Sequence, residues 1–305
     1  MVETKEFNAK LMLFGEYGLL FGAKALAVPF SRFSGKLVVG VEHSNMESSA
    51  EILRFLFYLK TGNINQKLHF PLDSNAFGAD LDEGLYFDST IPQQYGLGSS
   101  AALIAALFDR YAHFDHSLDD EHTLKALKED FALLESFFHR KSSGLDPLTS
   151  FLDRTVLFQD EQVIQKLSLD IMHPGIAVAL VDTQETSETG PLVHFFHEQM
   201  DHRGFRSAFE TRYIPANDGC IQSYLNRDWD AFFAHLHELI LFQVTYLSQM
   251  IPDGFTKIIT DALDQKVYIK LLGSGGGGYL LAFSQNREIL ERWTVKHSFK
   301  VVWGT

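Results

Sequence analysis

The feature that most constrains this chain is a run of small residues directly before an apolar, helix-like segment, PQQYGLGSSAALIAALFDRY at residues 92–111. The N–H groups at a helix start are unpaired and carry about half a positive charge, so they attract anions. Gly96 and Gly98 allow a tight turn and the close approach of a phosphate. The hydroxyls of Ser99 and Ser100 can bind a phosphate or Mg²⁺. A turn whose small residues only allow close packing is the other interpretation, and this stretch alone leaves both open.

Length, charge and cysteine content limit the classes of function. The chain has 305 residues, enough for one large domain or two of ordinary size. Its net charge of -13 disfavours nucleic acid and anionic membranes as partners, and a phosphorylated ligand would need a locally positive site. The single cysteine, Cys220, excludes an internal disulfide framework and a cysteine-rich metal site. The first residues lack the pattern of a secretion signal, and no stretch reaches about 18 apolar residues, so we expect a cytoplasmic protein.

Strand-like and helix-like segments are mixed along the chain, which favours an α+β or α/β fold. Apolar runs at 10–22, 25–30, 34–43 and 84–92 predict strands before the small-residue run, and 117–140 predicts an amphipathic helix. A continuous apolar strand is expected at 175–183, followed by helices around 191–200 and 229–250. The chain should end with a strand, a glycine run, a strand, a helix and a strand.

The usual nucleotide-binding fingerprints are missing from the expected places. A Walker A motif does not occur, and no Gly-x-Gly-x-x-Gly lies at an early strand–helix junction. The run GSGGGG from Gly273 satisfies that pattern formally, but it lies between two predicted strands near the C-terminus. A phosphate site at residues 96–101 would therefore be of another type.

Three segments together resemble the signatures of the GHMP small-molecule kinases, the superfamily of galactokinase, homoserine kinase, mevalonate kinase and phosphomevalonate kinase. PQQYGLGSSAAL, at 92–103, resembles the second signature, Pro-x3-Gly-Leu-Gly-Ser-Ser-Ala-Ala. NAKLMLFGEYGLLFG, at 8–22, resembles the first, and KLLGSGGGGYLLAF, at 270–283, resembles the third. The resemblance implies an α+β fold of two domains. These would be a ribosomal-protein-S5-like, ATP-binding domain at 1–172 and a ferredoxin-like domain at 173–305.

A fourth segment, ESFFHRKSSGLDPLTSF at 135–151, resembles the mevalonate-kinase stretch His-Gly-x-Pro-Ser-Gly-x-Asp-Asn. In that family the aspartate is the catalytic carboxylate, which implies this role for Asp146. The family's Mg²⁺-binding glutamate lies eleven residues earlier, where this chain has Glu135. Homoserine kinases lack the aspartate, so its presence favours the mevalonate kinase and galactokinase branch.

The resemblance implies transfer of the γ-phosphoryl group of ATP to a small-molecule alcohol, with Mg²⁺ as the second cofactor. Asp146 would orient the substrate hydroxyl and accept its proton, and Lys10 would lie beside Asp146. Ser100 and Glu135 would hold Mg²⁺. The triphosphate would be held by the small-residue turn, which comprises Gly96, Leu97, Gly98, Ser99, Ser100 and Ala101. The substrate side would be formed by Glu16, Tyr17, Thr189, Gly275 and Gly276.

Three departures from the mevalonate-kinase pattern affect the substrate side. Tyr17 stands where the family has histidine, and Ser187 stands where it has the arginine of Thr-x-x-x-Arg-Ser-Thr. The stretch before Asp146 lacks the proline and carries Arg140 and Lys141, either solvent-facing or attracting an anionic substrate. Conversion of mevalonate to 5-phosphomevalonate is the first hypothesis. The alternatives are phosphomevalonate kinase, diphosphomevalonate decarboxylase, a sugar or polyol kinase, and a non-catalytic nucleotide-binding sensor. The sequence leaves the oligomeric state open, with a homodimer as one option.

Overall fold

A computed structural model describes residues 5–40, 46–138, 142–159, 163–168 and 175–303. The first half contains one antiparallel sheet. Its strands are β1 (Phe7–Phe14), β2 (Ala25–Val39), β3 (Leu85–Ser89), β4 (Thr155–Gln159) and β5 (Val163–Leu167). Its helices are α1 (Met46–Thr61), α2 (Ser74–Asp82), α3 (Ser99–Tyr111), α4 (Glu121–Glu135) and α5 (Leu145–Leu152). Short 3-10 helices lie at Gly18–Phe21 and Asn65–Lys67.

The second half contains a second antiparallel sheet with helices around it. Its strands are β6 (Ala177–Asp182), β7 (Tyr268–Leu271), β8 (Tyr279–Ser284) and β9 (Val301–Trp303). Its helices are α6 (Thr189–Asp201), α7 (Arg203–Ala208), α8 (Ile214–Asn226), α9 (Trp229–Tyr246), α10 (Phe255–Leu263) and α11 (Arg287–Lys296). A π-helical turn, Phe209–Tyr213, joins α7 to α8, and a 3-10 turn, Ser248–Met250, follows α9.

Strand β2 corrects one expectation. The sequence predicts two strands, at 25–30 and 34–43, but one strand runs through both, and 41–43 fall outside the described residues. β2 pairs with β1 on one side, while on the other β4 pairs with Ala25–Ala27 and β3 pairs with Gly35–Val39. Pro29 lies between those two partners, where the strand is paired on one side only. A residue without an N–H is tolerated in such a place.

The second sheet has the strand order β7-β8-β6-β9, with every pair antiparallel. Along the chain the order is strand, helices, two strands, helix and strand, which is that of a ferredoxin-like domain. The α+β class expected from the sequence is confirmed. The predicted domain boundary at 172–173 lies outside the described residues.

The two sheets share one hydrophobic core. Phe14, at the end of β1, stacks on Phe283 of β8 with ring centroids 6.1 Å apart, and meets Phe232 of α9 edge-on at 5.9 Å. Buried residues of both halves form a continuous cluster. The segments between the sheets are therefore held in a fixed relation, and the candidate site lies there. Within the described parts of the chain, no helix combines the length and apolarity needed to cross a membrane, and the cytoplasmic location stays a prediction.

Candidate active site

The small-residue turn forms the start of α3. Gly98 is the N-cap of this helix with φ 74°, and Gly96 has φ 77°, so both use the left-handed conformation that favours glycine. Among the described residues, no side chain caps the helix. The N–H groups of its first turn are therefore free of a side-chain acceptor and can bind an anion. Leu97 is fully buried, and its carbonyl accepts a hydrogen bond of 3.0 Å from the backbone N–H of Lys10 in β1.

Lys10 crosses this turn and reaches Asp146. Its side chain is buried, and a Cβ added at Gly98 would lie 2.9 Å from Cγ and Cε of Lys10. The missing side chain at Gly98 thus makes room for the lysine stem. Lys10 Nζ lies 2.5 Å from Asp146 Oδ2. The other carboxylate oxygen, Oδ1, is buried and lacks a hydrogen-bond partner in the described parts of the chain. An oxygen in this state is suited to accept a hydrogen bond from a bound hydroxyl.

Asp146 is fixed by the way α5 begins. Gly144 is the N-cap with φ 74°, and a Cβ there would lie 2.1 Å from the carbonyl oxygen of Lys128 in α4. Only glycine fits this contact, because both the backbone conformation and the space exclude a side chain. The turn is therefore pressed against α4, and Asp146 follows in the first turn of α5.

Glu135 is the last residue of α4 and is buried. Its Oε2 accepts a hydrogen bond from the Ser142 hydroxyl, and Ser142 Oγ in turn accepts one of 3.0 Å from Gly144 N–H. Burial, together with repulsion from the Asp146 carboxylate, raises the pKa of Glu135 to about 8. The Ser142 hydrogen bond and the charge of Lys10 act in the opposite direction. Two carboxyl groups and one ammonium group thus share a small, partly dehydrated space.

This donor set fits a divalent cation. A buried carboxyl whose ionisation is opposed by a second carboxylate gains most from a bound cation. Ser100, the second residue of α3, offers a hydroxyl at the small-residue turn, 96–101, which is called the phosphate turn below. In the described ranges, no group of three or more His, Cys, Asp or Glu side chains is placed to hold a metal. A cation at Glu135 would therefore take most of its oxygen ligands from phosphates and water, as Mg²⁺ does.

The glycine run between β7 and β8 packs against the phosphate turn. A Cβ at Gly273 would lie 3.5 Å from Gly96 Cα, and a Cβ at Gly278 would lie 2.6 Å from Tyr95 Cα. A side chain at Gly278 would push the two loops apart, whereas a Cβ at Gly273 would lie at ordinary contact distance. The absence of side chains thus lets the C-terminal half touch the phosphate turn directly.

Two substrate-side candidates, Tyr17 and Thr189, lie together with Ser187 at the same glycine run. Tyr17 donates a hydrogen bond of 2.7 Å to the carbonyl of Ser274, and its ring stacks on Phe196 of α6 at 4.5 Å. Thr189 Oγ1 lies 3.3 Å from Ser274 Oγ, and the Ser187 hydroxyl donates to the Gly275 carbonyl. Burial, with the charge of Glu16 as a second cause, raises the pKa of Tyr17 well above its usual range, so this phenol stays protonated.

The two predicted glycines of the run lie in tight surroundings. A Cβ at Gly275 would lie 2.5 Å from the Met250 carbonyl oxygen, and a Cβ at Gly276 would lie 2.6 Å from Leu192 Cδ1. Gly276 N–H donates to the same Met250 carbonyl at 2.6 Å. Close packing of the loop accounts for both glycines, and their contact with substrate stays a prediction.

Glu16 lies in a different setting, a buried ion pair with Lys270 of β7. Lys270 is fully buried and also donates a hydrogen bond of 2.6 Å to the Leu271 carbonyl. Burial raises the pKa of Glu16 above its usual value, although the charge of Lys270 acts in the opposite direction. Glu16 Oε2 has no hydrogen-bond partner in the described chain, and the backbone carbonyl of Glu16 accepts from the Tyr213 hydroxyl at 2.5 Å. The pair joins the end of β1 to the second sheet.

Residues 63–153 match the family model of the GHMP kinases N terminal domain. This range contains the phosphate turn, Glu135 and Asp146. This part of the chain is therefore similar to the N-terminal domain of the GHMP kinases.

Solved GHMP-fold structures cover nearly the whole chain at low identity. The L. major mevalonate kinase in complex with R-mevalonate has a TM-score of 0.65 and 14% identity, covering 99% of this chain and 95% of that chain. The Streptococcus pneumoniae phosphomevalonate kinase in complex with phosphomevalonate and AMPPNP gives 0.67 and 14%, covering 99% and 98%. The Lactococcus lactis galactokinase complexed with galactose gives 0.66 and 10%, covering 99% and 92%. No curated protein is a significant sequence match. These structural similarities show a shared fold.

Within the GHMP fold of this chain, sequence reasoning missed two residues of the site. Ser142 bonds to Glu135, and the signal was present, because a hydroxyl stands where the resembling stretch has proline. Lys270 opens the third signature, but nothing in the pattern pairs it with Glu16. The two cations Arg140 and Lys141 lie outside the described residues.

Proposed function

We propose that this chain is an ATP- and Mg²⁺-dependent kinase that phosphorylates the hydroxyl of a small molecule, with mevalonate as the first candidate acceptor. The observation that carries the proposal is the Lys10–Asp146 pair at the phosphate turn, with Asp146 Oδ1 buried and unpartnered. Phosphoryl transfer needs mostly positioning and neutralisation of charge, and this arrangement supplies groups for both. The match to the kinase family model supports the same reaction class.

Each group of the site then has a task. The first-turn N–H groups of α3 bind the phosphate chain, and Ser100 and Glu135 hold the cation, which when bound neutralises phosphate charge. Asp146 Oδ1 accepts the hydrogen bond of the substrate hydroxyl. As the hydroxyl oxygen bonds to the γ-phosphorus, the bond to the ADP leaving oxygen breaks and the proton passes to Asp146. Lys10 holds Oδ2 and fixes the carboxylate orientation.

An unphosphorylated acceptor is favoured over a phosphorylated one. A phosphate on the acceptor would need cations that are not already engaged. Among the described residues of the site, Lys10 is paired with Asp146 and Lys270 is paired with Glu16, while Arg140 and Lys141 lie outside the described ranges. The Ser187 hydroxyl, at the position of the family's arginine, already donates to the Gly275 carbonyl. Mevalonate and galactose, which are bound in the structures of similar fold, therefore rank ahead of phosphomevalonate.

The test is ADP release by the purified protein with Mg-ATP and single acceptors: mevalonate, phosphomevalonate, galactose and other small alcohols. We expect release that depends on mevalonate. Asp146→Asn should lower kcat by about 10²- to 10⁴-fold, the usual contribution of a general base. Asp153→Asn is the matched control, because Asp153 lies at the other end of α5 and bonds Asn8 instead. ADP release with another alcohol but not with mevalonate would show that the proposed acceptor is wrong. ATP binding without turnover on any acceptor would favour a nucleotide sensor.

A further inference from the structure

Ser142 connects the turn before α5 to the carboxylate at the end of α4. Its hydroxyl donates to Glu135 Oε2, and its oxygen accepts from Gly144 N–H at 3.0 Å. The Ser142 hydroxyl thus acts as a donor to Glu135 and as an acceptor for Gly144 at the same time. The chain from Gly144 through Ser142 thus fixes which oxygen of Glu135 is engaged.

The rest of the Glu135 surroundings makes this contact important. The carboxyl is buried at the end of α4. A carboxylate that binds a cation must point one oxygen at the metal. Ser142 holds Oε2 by one hydrogen bond and leaves Oε1 as the second oxygen. The proline of the resembling mevalonate-kinase stretch has no donor and could not make this contact.

We propose that Ser142 is a positioning residue that orients Glu135 toward the divalent cation; this inference rests on the proposed function. Outer groups that orient metal ligands commonly change metal affinity by about 10- to 100-fold when removed. Ser142→Ala should therefore reduce the extent to which Mg²⁺ strengthens ATP binding, while the protein stays folded.

The test compares calorimetric titrations of ATP in Mg²⁺ with titrations of ATP in EDTA. In the wild type, ATP should bind more tightly in Mg²⁺ than in EDTA, and the ratio of the two affinities is the Mg²⁺ factor. Ser142→Ala should reduce this factor by about 10-fold. Ser142→Thr keeps a hydroxyl and should restore the factor. Ser143→Ala is the matched control, since the Ser143 hydroxyl oxygen accepts only from Leu145 N–H, at 3.3 Å, in the described contacts. Melting temperatures of all variants report any loss of folding.

The outcomes separate the two proposals. With an acceptor that turns over, Ser142→Ala should raise the Mg²⁺ concentration for half-maximal rate and recover most of kcat at saturating Mg²⁺. An equal Mg²⁺ factor in Ser142→Ala and wild type overturns the role of Ser142, even if the kinase is active. A reduced factor with no phosphorylated acceptor upholds Ser142 and rejects the kinase proposal.

A second, independent observation concerns the solvent face of α1. Four large hydrophobic side chains are strongly exposed in the described chain, and three of them lie on α1: Met46, Leu53 and Phe57, at 81%, 58% and 68%. With the exposed Ala50 they follow the spacing i, i+4, i+7, i+11, which makes one continuous stripe. The opposite face, with Ile52, Phe55, Leu56 and Leu59, is buried in the first sheet's core.

The charges beside the stripe fit a second copy of the same helix. Glu47 and Arg54 are seven residues apart and therefore lie on the same flank, two turns from each other. In an antiparallel pair, residues of one flank meet the same flank of the partner helix. Glu47 of each copy then faces Arg54 of the other. The four charged residues of α1 also cancel, although the chain as a whole carries -13.

The geometry points to a homodimer in which the α1 stripes of two copies pack antiparallel about a two-fold axis. Such an interface is self-complementary, as a two-fold interface must be. The stripe gives it an apolar centre, and the Glu47–Arg54 pairs give it orientation. No other partner is needed to satisfy both features.

Sedimentation velocity across a series of protein concentrations tests this dimer. We expect wild type to sediment as a dimer and Phe57→Asp as a monomer with an unchanged circular dichroism spectrum. Val295→Asp is the matched control, since Val295 is equally exposed, at 78%, but lies on α11. Arg54→Glu should weaken the dimer, and Glu47→Arg with Arg54→Glu should restore it. A wild type that stays monomeric, or a dimer that Phe57→Asp leaves intact, overturns the inference.

Discussion

Single glycines decide whether Lys10 can reach Asp146. Gly98 has a left-handed backbone and also carries the lysine stem across its open side. The sequence predicts that Gly98 admits a phosphate. The structure adds that the room made by the missing Cβ is taken by Lys10, a neighbour from β1 that local sequence does not reveal. A tight turn and the Lys10–Asp146 contact thus depend on the same missing atom.

Gly98→Ala should therefore separate strain from catalysis. Any side chain in the left-handed region costs about 1–2 kcal/mol, and the new Cβ would also displace Lys10. Gly254→Ala is a matched control, because Gly254 is the N-cap of α10 with φ 79° and open space around it. We expect both variants to lose unfolding free energy in urea, and Gly98→Ala to lose more because of its contact with Lys10. Only Gly98→Ala should lose kcat, by about 10²-fold for a misplacement near 1 Å. Equal kcat in the two variants would contradict this account.

The carboxyl of Glu135 should give the metal-free protein a distinct pH dependence. Its pKa rises from 4.5 to about 8 on folding, so between these values the folded chain holds a proton that the unfolded chain has released. Stability then falls as pH rises through this window, by about 1.4 kcal/mol per pH unit, and the effect ends above the folded pKa. The cause is burial beside Asp146, opposed in part by Ser142 and Lys10.

Urea denaturation in EDTA from about pH 5 to about pH 9 measures this slope. Glu135→Gln cannot ionise, so it should lack the decline and be more stable than wild type at the alkaline end. Glu121→Gln is the control, an exposed carboxylate in the first turn of the same helix. A decline that persists unchanged in Glu135→Gln would show that other groups cause it.

At the scale of elements, the sequence identified the helices and strands whose apolar residues follow one clear period. The helices α3 and α4, the buried strand β6 and the closing order β7, β8, α11, β9 all occur where the patterns indicated. Helix α1 was missed because apolar residues lie on both its buried and its exposed face, which blurs the 3.6-residue period. The sequence patterns did not identify the joined helices α7 and α8, because a proline usually ends a helix. Pro215 instead lies in the first turn of α8, where proline is tolerated.

The candidate site was accessible from sequence only through its motifs. Lys10, Glu135 and Asp146 come from β1, α4 and α5, and no local pattern brings those elements together. The resemblance named all three residues, and the structure places them within electrostatic reach of one another. Ser142 and Tyr17 are visible in the sequence as departures from the motif, but the motif does not indicate what they contact. Their partners, Glu135 and Ser274, depend on loop packing that only the fold defines.

At the scale of the whole molecule, the Glu16–Lys270 pair ties the first sheet to the second. It lies in the shared core, with Lys270 Nζ 5.7 Å from the centre of the Phe14 ring. A buried pair need not stabilise more than a well-packed neutral pair. Removing one partner, however, leaves the other charge buried and unpaired, which is costly. The Glu16–Lys270 pair therefore specifies how the two sheets pack together. Lys270 lies in β7, directly before the glycine run that touches the phosphate turn.

Lys270→Met tests this link and the predicted substrate role of Glu16 together. Alone, it should lower the unfolding free energy by about 3–5 kcal/mol, because Glu16 remains buried without its cation. Adding Glu16→Gln should recover most of that loss in urea denaturation. The acceptor KM of the double variant then decides the role of Glu16. An unchanged KM with restored stability makes Glu16 structural, whereas a KM raised despite restored stability makes it a substrate contact. A double variant no more stable than Lys270→Met would reject the pair as the link between the sheets.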